Sequence, residues 1–186
     1  MNQWIQSIDR STEEFQKHFA TLNQEELNWK PNPKAWSIAQ NIDHLIVINK
    51  TYFPVLAELK AGTYQTPFTA KIGFLVSYFG KMILNSVKPE YQKKIKTFPI
   101  WEPTKSEISD DILDRFVQHQ SALKEMILSA KPFLEQGAII SSPANKNIVY
   151  KLETAFDIIT NHEQRHLAQA KVVLGLLKSE GVVQKA

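Results

Sequence analysis

Apolar residues recur at three-to-four-residue spacing in four segments of the chain, and this period constrains the fold more than any other feature. Such spacing places apolar side chains on one face of a helix, and that face must be buried against other helices. No segment shows the regular alternation of apolar and polar residues that favours a strand. We therefore predict an all-α fold, a four-helix bundle with an inserted middle segment.

Capping and breaking residues predict where the first two helices begin and end. The first helix covers roughly residues 2–21, and a proline-containing loop follows at 23–36. Ser37 and Gln40 form a capping-box pattern that opens the second helix. Gly62 is typical of a residue that ends a helix, so the second helix is predicted to stop there.

Prolines and glycines mark the other breaks. Pro54 lies inside the second helix and should kink or break it, because proline cannot donate a backbone hydrogen bond. A third helix is predicted to start near Ser109 and to stop before Pro132. The segment that follows is rich in glycine, serine and asparagine and predicts a loop. The last helix carries a near-heptad apolar stripe from Leu152 and ends near Gly181.

Residues 61–104 connect the second and third helices and are predicted to be an elaborated connection with a short apolar helix at 72–87. Its aromatic residues are compatible with a lid or an interface, although core packing is the more common role of such side chains. These aromatic residues are Phe74, Tyr78, Phe79, Tyr91, Phe98 and Trp101.

The net charge of +3 comes from the same segment, because residues 61–104 carry 6 basic and 2 acidic groups. A nucleic-acid surface usually has a denser basic stripe that includes arginine. We interpret the lysines as a solvated face and predict no nucleic-acid partner. The lysines of this run are Lys88, Lys93, Lys94 and Lys96.

Composition excludes several other classes. The 186 residues, 43% of them hydrophobic, predict a single domain over 1–186. The chain has no cysteine, so disulfides, cysteine-ligated metals and cysteine nucleophiles are excluded. The chain contains no stretch of about 18 uncharged apolar residues, which a membrane-spanning helix would need, and it shows no signal-peptide pattern. We therefore expect a cytoplasmic protein without a membrane partner.

The most specific chemical signal is the run HEQRH on the last helix. His162 and His166 are one helical turn apart, so both imidazoles can bind one metal ion. Such a pair alone is more often a surface or hydrogen-bonded core pair. His44 on the second helix can also point inward, and three histidines leave a tetrahedral ion with one open position. We therefore predict these three as metal ligands, and His18 and His119 as ordinary polar residues.

The same letters match the HExxH pattern of zinc proteases, in which the glutamate is the general base. In the metzincin class of zinc proteases, this pattern is followed by a further glycine and histidine, and both are absent here. The sequence also predicts no strand to which a peptide substrate could pair, so proteolysis is disfavoured. Glu163 could act as a base or support the metal ligands. Gln40 and Gln169 could orient ligands or substrate, or could form hydrogen bonds between helices. No residue is assigned a catalytic role.

Two motifs resemble those of the DinB-like superfamily, which includes YfiT-type metal-dependent hydrolases and thiol-dependent S-transferases. The first reads W-S-x-x-Q-x-x-x-H from Trp36 to His44, and the second reads H-x-x-x-H-x-x-Q from His162 to Gln169. Two motifs in the expected order are more specific than either alone. The two motifs do not cover residues 61–104.

The resemblance implies an up-down-down-up four-helix bundle, a frequent homodimer, and a divalent metal, often zinc or nickel, on His44, His162 and His166. Some members use the metal to activate a low-molecular-weight thiol such as bacillithiol, mycothiol or glutathione. We therefore expect a metal-dependent hydrolase or thiol S-transferase with a small-molecule substrate. The alternative is a non-catalytic dimeric bundle that binds a metal or a ligand.

Overall fold

A computed structural model describes residues 1–91, 97–103 and 106–181, and these residues are mostly helical, as predicted. Short 3₁₀ turns lie at Phe68–Lys71 and Pro99–Trp101. The helices and strands, in chain order, are α1 Asn2–Phe19, α2 Gln24–Asn28, α3 Ile38–Lys50, α4 Tyr52–Ala61, α5 Gly73–Val87, α6 Ile112–Ser129, α7 Lys131–Glu135, β1 Ile139–Ser142, β2 Asn145–Lys151 and α8 Leu152–Ser179.

The four long helices α1, α3, α6 and α8 bury their apolar faces against one another. α1 contacts α6 and α8, and α3 contacts the same two helices. One buried cluster, which includes Phe15 and Phe116, draws side chains from all four. Polar contacts reinforce the packing of α1 on α8, where Trp4 donates from Nε1 to Asp157 Oδ1 at 2.7 Å. The packing brings α3 and α8, which carry the three candidate ligands, side by side.

The segment predicted as the second helix forms two helices, α3 and α4. The predicted capping box is present, because Gln40 N donates to Ser37 Oγ at 3.1 Å and Ser37 N donates to Gln40 Oε1 at 3.3 Å. The break falls at Thr51, and Pro54 lies in the first turn of α4. A missing backbone N–H is tolerated there because it would have no partner within the helix. Gly62 ends α4 with a φ of 67°, as its position predicted.

The prediction of a loop before the last helix is wrong, because this segment contains an antiparallel β-hairpin. Ile139–Ser142 pairs with Asn145–Lys151, and Ile140 lies opposite Tyr150. Both of these side chains are buried, and α5 packs on the second strand. At Gly80 of α5 an added Cβ would come within 3.4 Å of Tyr150, so a small residue lets the helix approach closely. The fold is mostly helical and has one small sheet.

The middle connection contains the predicted helix, here α5, and its aromatic side chains divide between two environments. Phe79 is half-buried against the hairpin, whereas Phe74 is 73% exposed and stacks on Tyr78, which is also exposed. Lys88 is exposed, in agreement with a solvated face. The other lysines of that run, Lys93, Lys94 and Lys96, lie outside the described residues. None of the helices that the structure describes combines the length and the apolar composition needed to cross a bilayer.

Candidate metal centre

The structure brings together the three histidines that the sequence singled out. His44 projects from α3, and His162 and His166 project from successive turns of α8. One ring nitrogen from each lies within 4.8 Å of the others, and all three side chains are largely buried. Three imidazoles converging on one point form a group that could hold a metal ion.

Hydrogen bonds at the far side of two rings fix their orientation. The backbone carbonyl of Trp101 accepts a hydrogen bond from His44 Nδ1, and Asn41 Oδ1 accepts one from His166 Nδ1 at 2.8 Å. Asn41 is itself oriented, because its Nδ2 donates to the Ser37 carbonyl at 2.8 Å. These partners place the ring proton on Nδ1, so that Nε2 of each ring offers a lone pair. Histidines that bind a metal usually show this arrangement, in which the ring nitrogen that does not bind the metal donates a hydrogen bond to a protein acceptor.

The spacing of two ring nitrogens is close to that of two ligands on a shared cation. Nε2 of His166 lies 3.0 Å from Nε2 of His162, which is also a hydrogen-bond distance when one of the two nitrogens carries a proton. Two imidazole nitrogens bound to one tetrahedral metal ion, each about 2.0–2.1 Å from it, would lie slightly farther apart, at about 3.3 Å. The donor types, their number and their spacing therefore fit a divalent ion such as zinc or nickel.

Burial keeps the three rings neutral. It lowers the pKa of His162 and His166 well below the usual histidine range, and the neighbouring rings add to this effect. Burial also lowers the pKa of His44, and this shift is partly opposed by the Trp101 carbonyl and by Asp43. Since metal ions bind the neutral imidazole, protons compete weakly for these ligands at neutral pH.

One aromatic ring, that of Trp36, packs on two of the three histidines. The Trp36 ring lies 4.9 Å from the His44 ring and stacks on the His166 ring at 5.8 Å, measured between centroids. The Nε1 atom of Trp101 is buried and has no acceptor in the described part of the chain. Apolar cover of this kind excludes water and strengthens electrostatic interactions within the site.

Sequence reasoning missed two of the contributing residues. Asn41 lies inside the first motif, and its position one turn before His44 was the signal that could have revealed it. Trp101 was noted only as an aromatic residue. It acts on His44 through its backbone carbonyl, which every residue type possesses, so its identity carries no signal for this role.

Glu163, the candidate base or supporting residue, belongs to a neighbouring buried network. Its side chain is 0% exposed, and it accepts hydrogen bonds from Asn49 Nδ2 at 3.0 Å and Gln120 Nε2 at 2.9 Å. Burial raises its pKa to about 8, although both hydrogen bonds oppose the shift. A carboxyl group whose pKa lies near neutral pH can hold or release a proton there, so this shift fits either of the two roles predicted for Glu163.

The two glutamines differ from each other. Gln40 caps α3 and also donates from Nε2 to the Ser106 carbonyl at 3.4 Å, so it ties α3 to the segment before α6. Gln169 is exposed on α8, so the predicted role of orienting ligands among the buried histidines does not suit it. His18, predicted to be an ordinary polar residue, is partly exposed and lies 3.3 Å from Glu14.

His119, which was predicted to be an ordinary polar residue, is buried. It is 6% exposed and packs on the ring of Phe53, and its Nε2 has no hydrogen-bond partner among the described residues. Burial, together with the positive charge of Lys50, lowers its pKa to about 4. Its imidazole is therefore neutral in the folded protein over most of the pH range.

This burial predicts an acid-sensitive contribution to stability. An unfolded chain binds a proton at His119 below about pH 6.5, whereas the folded chain does so only near pH 4. The free energy of unfolding should therefore fall by up to about 3 kcal/mol from this residue as the pH drops through that window. We expect His119→Leu to remove this part of the slope in urea titrations at pH 7 and 4.5. His18→Leu is the matched control, and an unchanged slope in His119→Leu would contradict the prediction.

Comparison with known proteins places these residues in a family. A family model for the DinB superfamily matches residues 7–170, a span that contains all three histidines and most of the chain. No curated protein and no solved structure shows a significant match. Since the family model matches far more than half of the chain, the chain belongs to the DinB superfamily.

Proposed function

We propose that this chain is a divalent-metal-dependent enzyme whose metal, zinc or nickel, is held by His44, His162 and His166. The observation that carries the proposal is the convergence of three neutral imidazoles, two of which are oriented by hydrogen bonds at Nδ1. A purely structural cluster of buried histidines would not need every ring to direct a nitrogen to one point.

The proposed reaction class is either transfer of a low-molecular-weight thiol to a small-molecule substrate or hydrolysis of a small-molecule substrate by water. A divalent ion at this site would supply Lewis acidity, lowering the pKa of a thiol or a water so that the nucleophile is available near neutral pH. The chain's own contribution is to hold the ligands neutral and oriented, through Asn41 and the Trp101 carbonyl, and to exclude water with Trp36. Glu163 accepts hydrogen bonds from Asn49 and Gln120 in its own buried network and serves there as a structural partner of both.

We also propose the arrangement that family membership suggests for the whole chain. Residues 1–186 form one domain, the four long helices run up-down-down-up, and the protein is a cytoplasmic homodimer. The contacts of α1 and α3 with both α6 and α8 support a bundle in which these four helices are neighbours, and family membership suggests their directions.

The experiment that tests the proposed function is elemental analysis of the protein purified without a histidine tag. We expect about one equivalent of a divalent transition metal per chain, either as purified or after reconstitution with zinc, nickel or manganese. With cobalt in the site, addition of a thiol should produce a thiolate-to-cobalt absorption band. Absence of metal after reconstitution would contradict the proposal and favour a non-catalytic bundle. Bound metal without any response to thiols would restrict the site to hydrolysis or metal storage.

A further inference from the structure

Helix α5 is apolar on two opposite sides, but the described part of the chain covers only one of them. Val76 and Gly80 lie on the inner side, where the helix packs on the hairpin and on α8. Phe74, Tyr78 and Met82 follow one another at four-residue spacing on the outer side, and all three are exposed. A helix that is apolar all round is normally buried on every side. We therefore expect the outer side of α5 to contact a partner.

The 3₁₀ turn before α5 extends this outer surface. The turn contacts both α5 and the hairpin, and its Phe68 is 74% exposed. Phe74 and Tyr78 are 73% and 51% exposed, and their rings stack at 5.9 Å between centroids. Three aromatic side chains with these exposures leave roughly 400 Å² in contact with water, a patch size that often marks an interaction site. We call the exposed apolar residues of this surface the apolar face: Phe68, Ile72, Phe74, Tyr78 and Met82.

The apolar face lies at the end of α5 that is remote from residues 92–96. The chain leaves the other end of the helix along α8, where the Tyr91 carbonyl accepts a hydrogen bond from Arg165. Phe74 is separated from Val87, the last residue of α5, by about 20 Å of helix. The exposure of the apolar face is therefore set by described residues.

The elements around the apolar face carry only positive charge. Residues 59–89 and 136–152 contain no aspartate and no glutamate, although the whole chain has 19 acidic and 22 basic residues. The second of these ranges includes the hairpin, which packs on α5 and on the 3₁₀ turn. The two ranges contain six lysines and no arginine: Lys60, Lys71, Lys81, Lys88, Lys146 and Lys151. All six are exposed, and none takes part in an ion pair in the described part of the chain.

This combination suits a layer of anionic lipid headgroups better than other partners. A second copy of the chain would bring a second set of lysines and no carboxylate to the contact, and like charges disfavour that pairing. A nucleic-acid surface usually includes arginine, which is absent from both ranges. An anionic bilayer fits both properties, because lysines are attracted to its headgroups and exposed apolar side chains enter the boundary with the acyl chains.

We propose that the apolar face docks the protein on the surface of an anionic lipid bilayer. Phe68, Phe74 and Tyr78 enter the boundary between headgroups and acyl chains, and Lys71 and Lys81 lie at the level of the lipid phosphates. The sequence predicts no membrane partner because it contains no membrane-spanning segment, but a helix that lies on a bilayer needs no such segment. Docking by this face also needs no metal at the three histidines.

The test is flotation of the full-length protein with lipid vesicles on a density gradient. Vesicles of phosphatidylcholine with about one third phosphatidylglycerol are compared with vesicles of phosphatidylcholine alone. We expect the protein to float only with the anionic vesicles, and to bind them less as the salt concentration rises from about 0.1 M to about 1 M. Phe74→Ser should lower the partition coefficient about tenfold, and Lys71→Gln should lower it about fivefold.

Two variants control for a general loss of apolar surface or of positive charge. Leu128→Ser removes an exposed apolar side chain from α6, and Lys17→Gln removes an exposed lysine from α1. Both variants should bind the anionic vesicles as the wild-type protein does. Circular dichroism checks that each variant is folded, which we expect because every altered side chain is exposed.

Wild-type protein that stays unbound in the presence of anionic vesicles would overturn the proposal, and so would folded Phe74→Ser and Lys71→Gln variants that float as the wild type does. Sedimentation velocity without lipid tests for a second copy on this face. A dimer that Phe74→Ser converts to monomers, together with no vesicle binding, would assign the face to the dimer instead.

Two polyanions test the remaining partners. Binding of a single-stranded oligonucleotide or of polyglutamate through Lys71, with no binding of vesicles, would replace the bilayer by a nucleic acid or an acidic protein. The metal content of the same preparations decides the proposed function separately. Vesicle binding by a protein that takes up no metal would retain the docking face and reject the metal-dependent enzyme, and metal uptake without vesicle binding would do the reverse.

Discussion

Replacing His162 with alanine is expected to lower the affinity of the chain for a divalent metal ion by more than about 100-fold. The change removes one of three converging imidazoles, and with it the nitrogen that lies 3.0 Å from His166 Nε2. Loss of a residue that only supports a ligand already weakens metal binding by about 10–100-fold, and a lost ligand should exceed that. The measurement is a competition titration of untagged protein against a chromogenic chelator.

One control for this prediction changes a histidine elsewhere in the chain, and the other makes a different substitution at position 162. His18→Ala removes a partly exposed imidazole next to Glu14 and should leave metal affinity unchanged. His162→Gln keeps a side chain of similar length in the interior, so a folded variant can be studied even if His162→Ala is unstable. If both folded variants at position 162 retained the wild-type affinity, the three-histidine site would be incorrect.

The long helices were predictable because their burial repeats with the helical period. The first was expected at 2–21 and is Asn2–Phe19, and the middle helix was expected at 72–87 and is Gly73–Val87. Both predictions depend on the spacing of apolar residues, and the packing of each helix in the fold agrees with that spacing. Helix ends were less accurate, because they depend on local capping contacts.

The hairpin could not be predicted from the same signals. Its buried side chains include only a few apolar residues, among them Ile140, Val149 and Tyr150, and the stretch between the first two is mostly serine, proline, asparagine and lysine. A run this short does not establish a two-residue period. Its stability comes chiefly from α5 packing on it, and those contacts join residues far apart in sequence.

The site was predictable where spacing alone places a side chain. His162 and His166 had to share a face of α8, and packing of α8 on α3 then brings His44 to them. Gln169 shows that helical spacing does not predict burial. It follows His166 by three residues, yet it is exposed, because burial depends on whether another element covers that turn of the helix. Helical spacing does not carry that information.

Phe15→Ala is expected to reduce the free energy of unfolding by about 3–5 kcal/mol, a large fraction of the stability of a typical domain. Phe15 is fully buried on α1, and its ring lies 5.7 Å from that of Phe19 and 4.7 Å from that of Phe116 on α6. Truncation leaves a cavity between helices that cannot fully collapse. Urea denaturation gives the free energy, and a thermal scan should show a decrease in Tm of roughly 6–20 °C.

Phe68→Ala is the matched control, because this phenylalanine is 74% exposed and its loss should change stability by less than about 0.5 kcal/mol. A loss below about 1 kcal/mol for Phe15→Ala would mean that α1 does not pack on α6 as the structure shows. The result bears on the candidate metal centre as well as on the fold. Ile42 of α3 and Ala170 of α8 belong to the same buried cluster as Phe15, so this packing also holds the two histidine-bearing helices side by side.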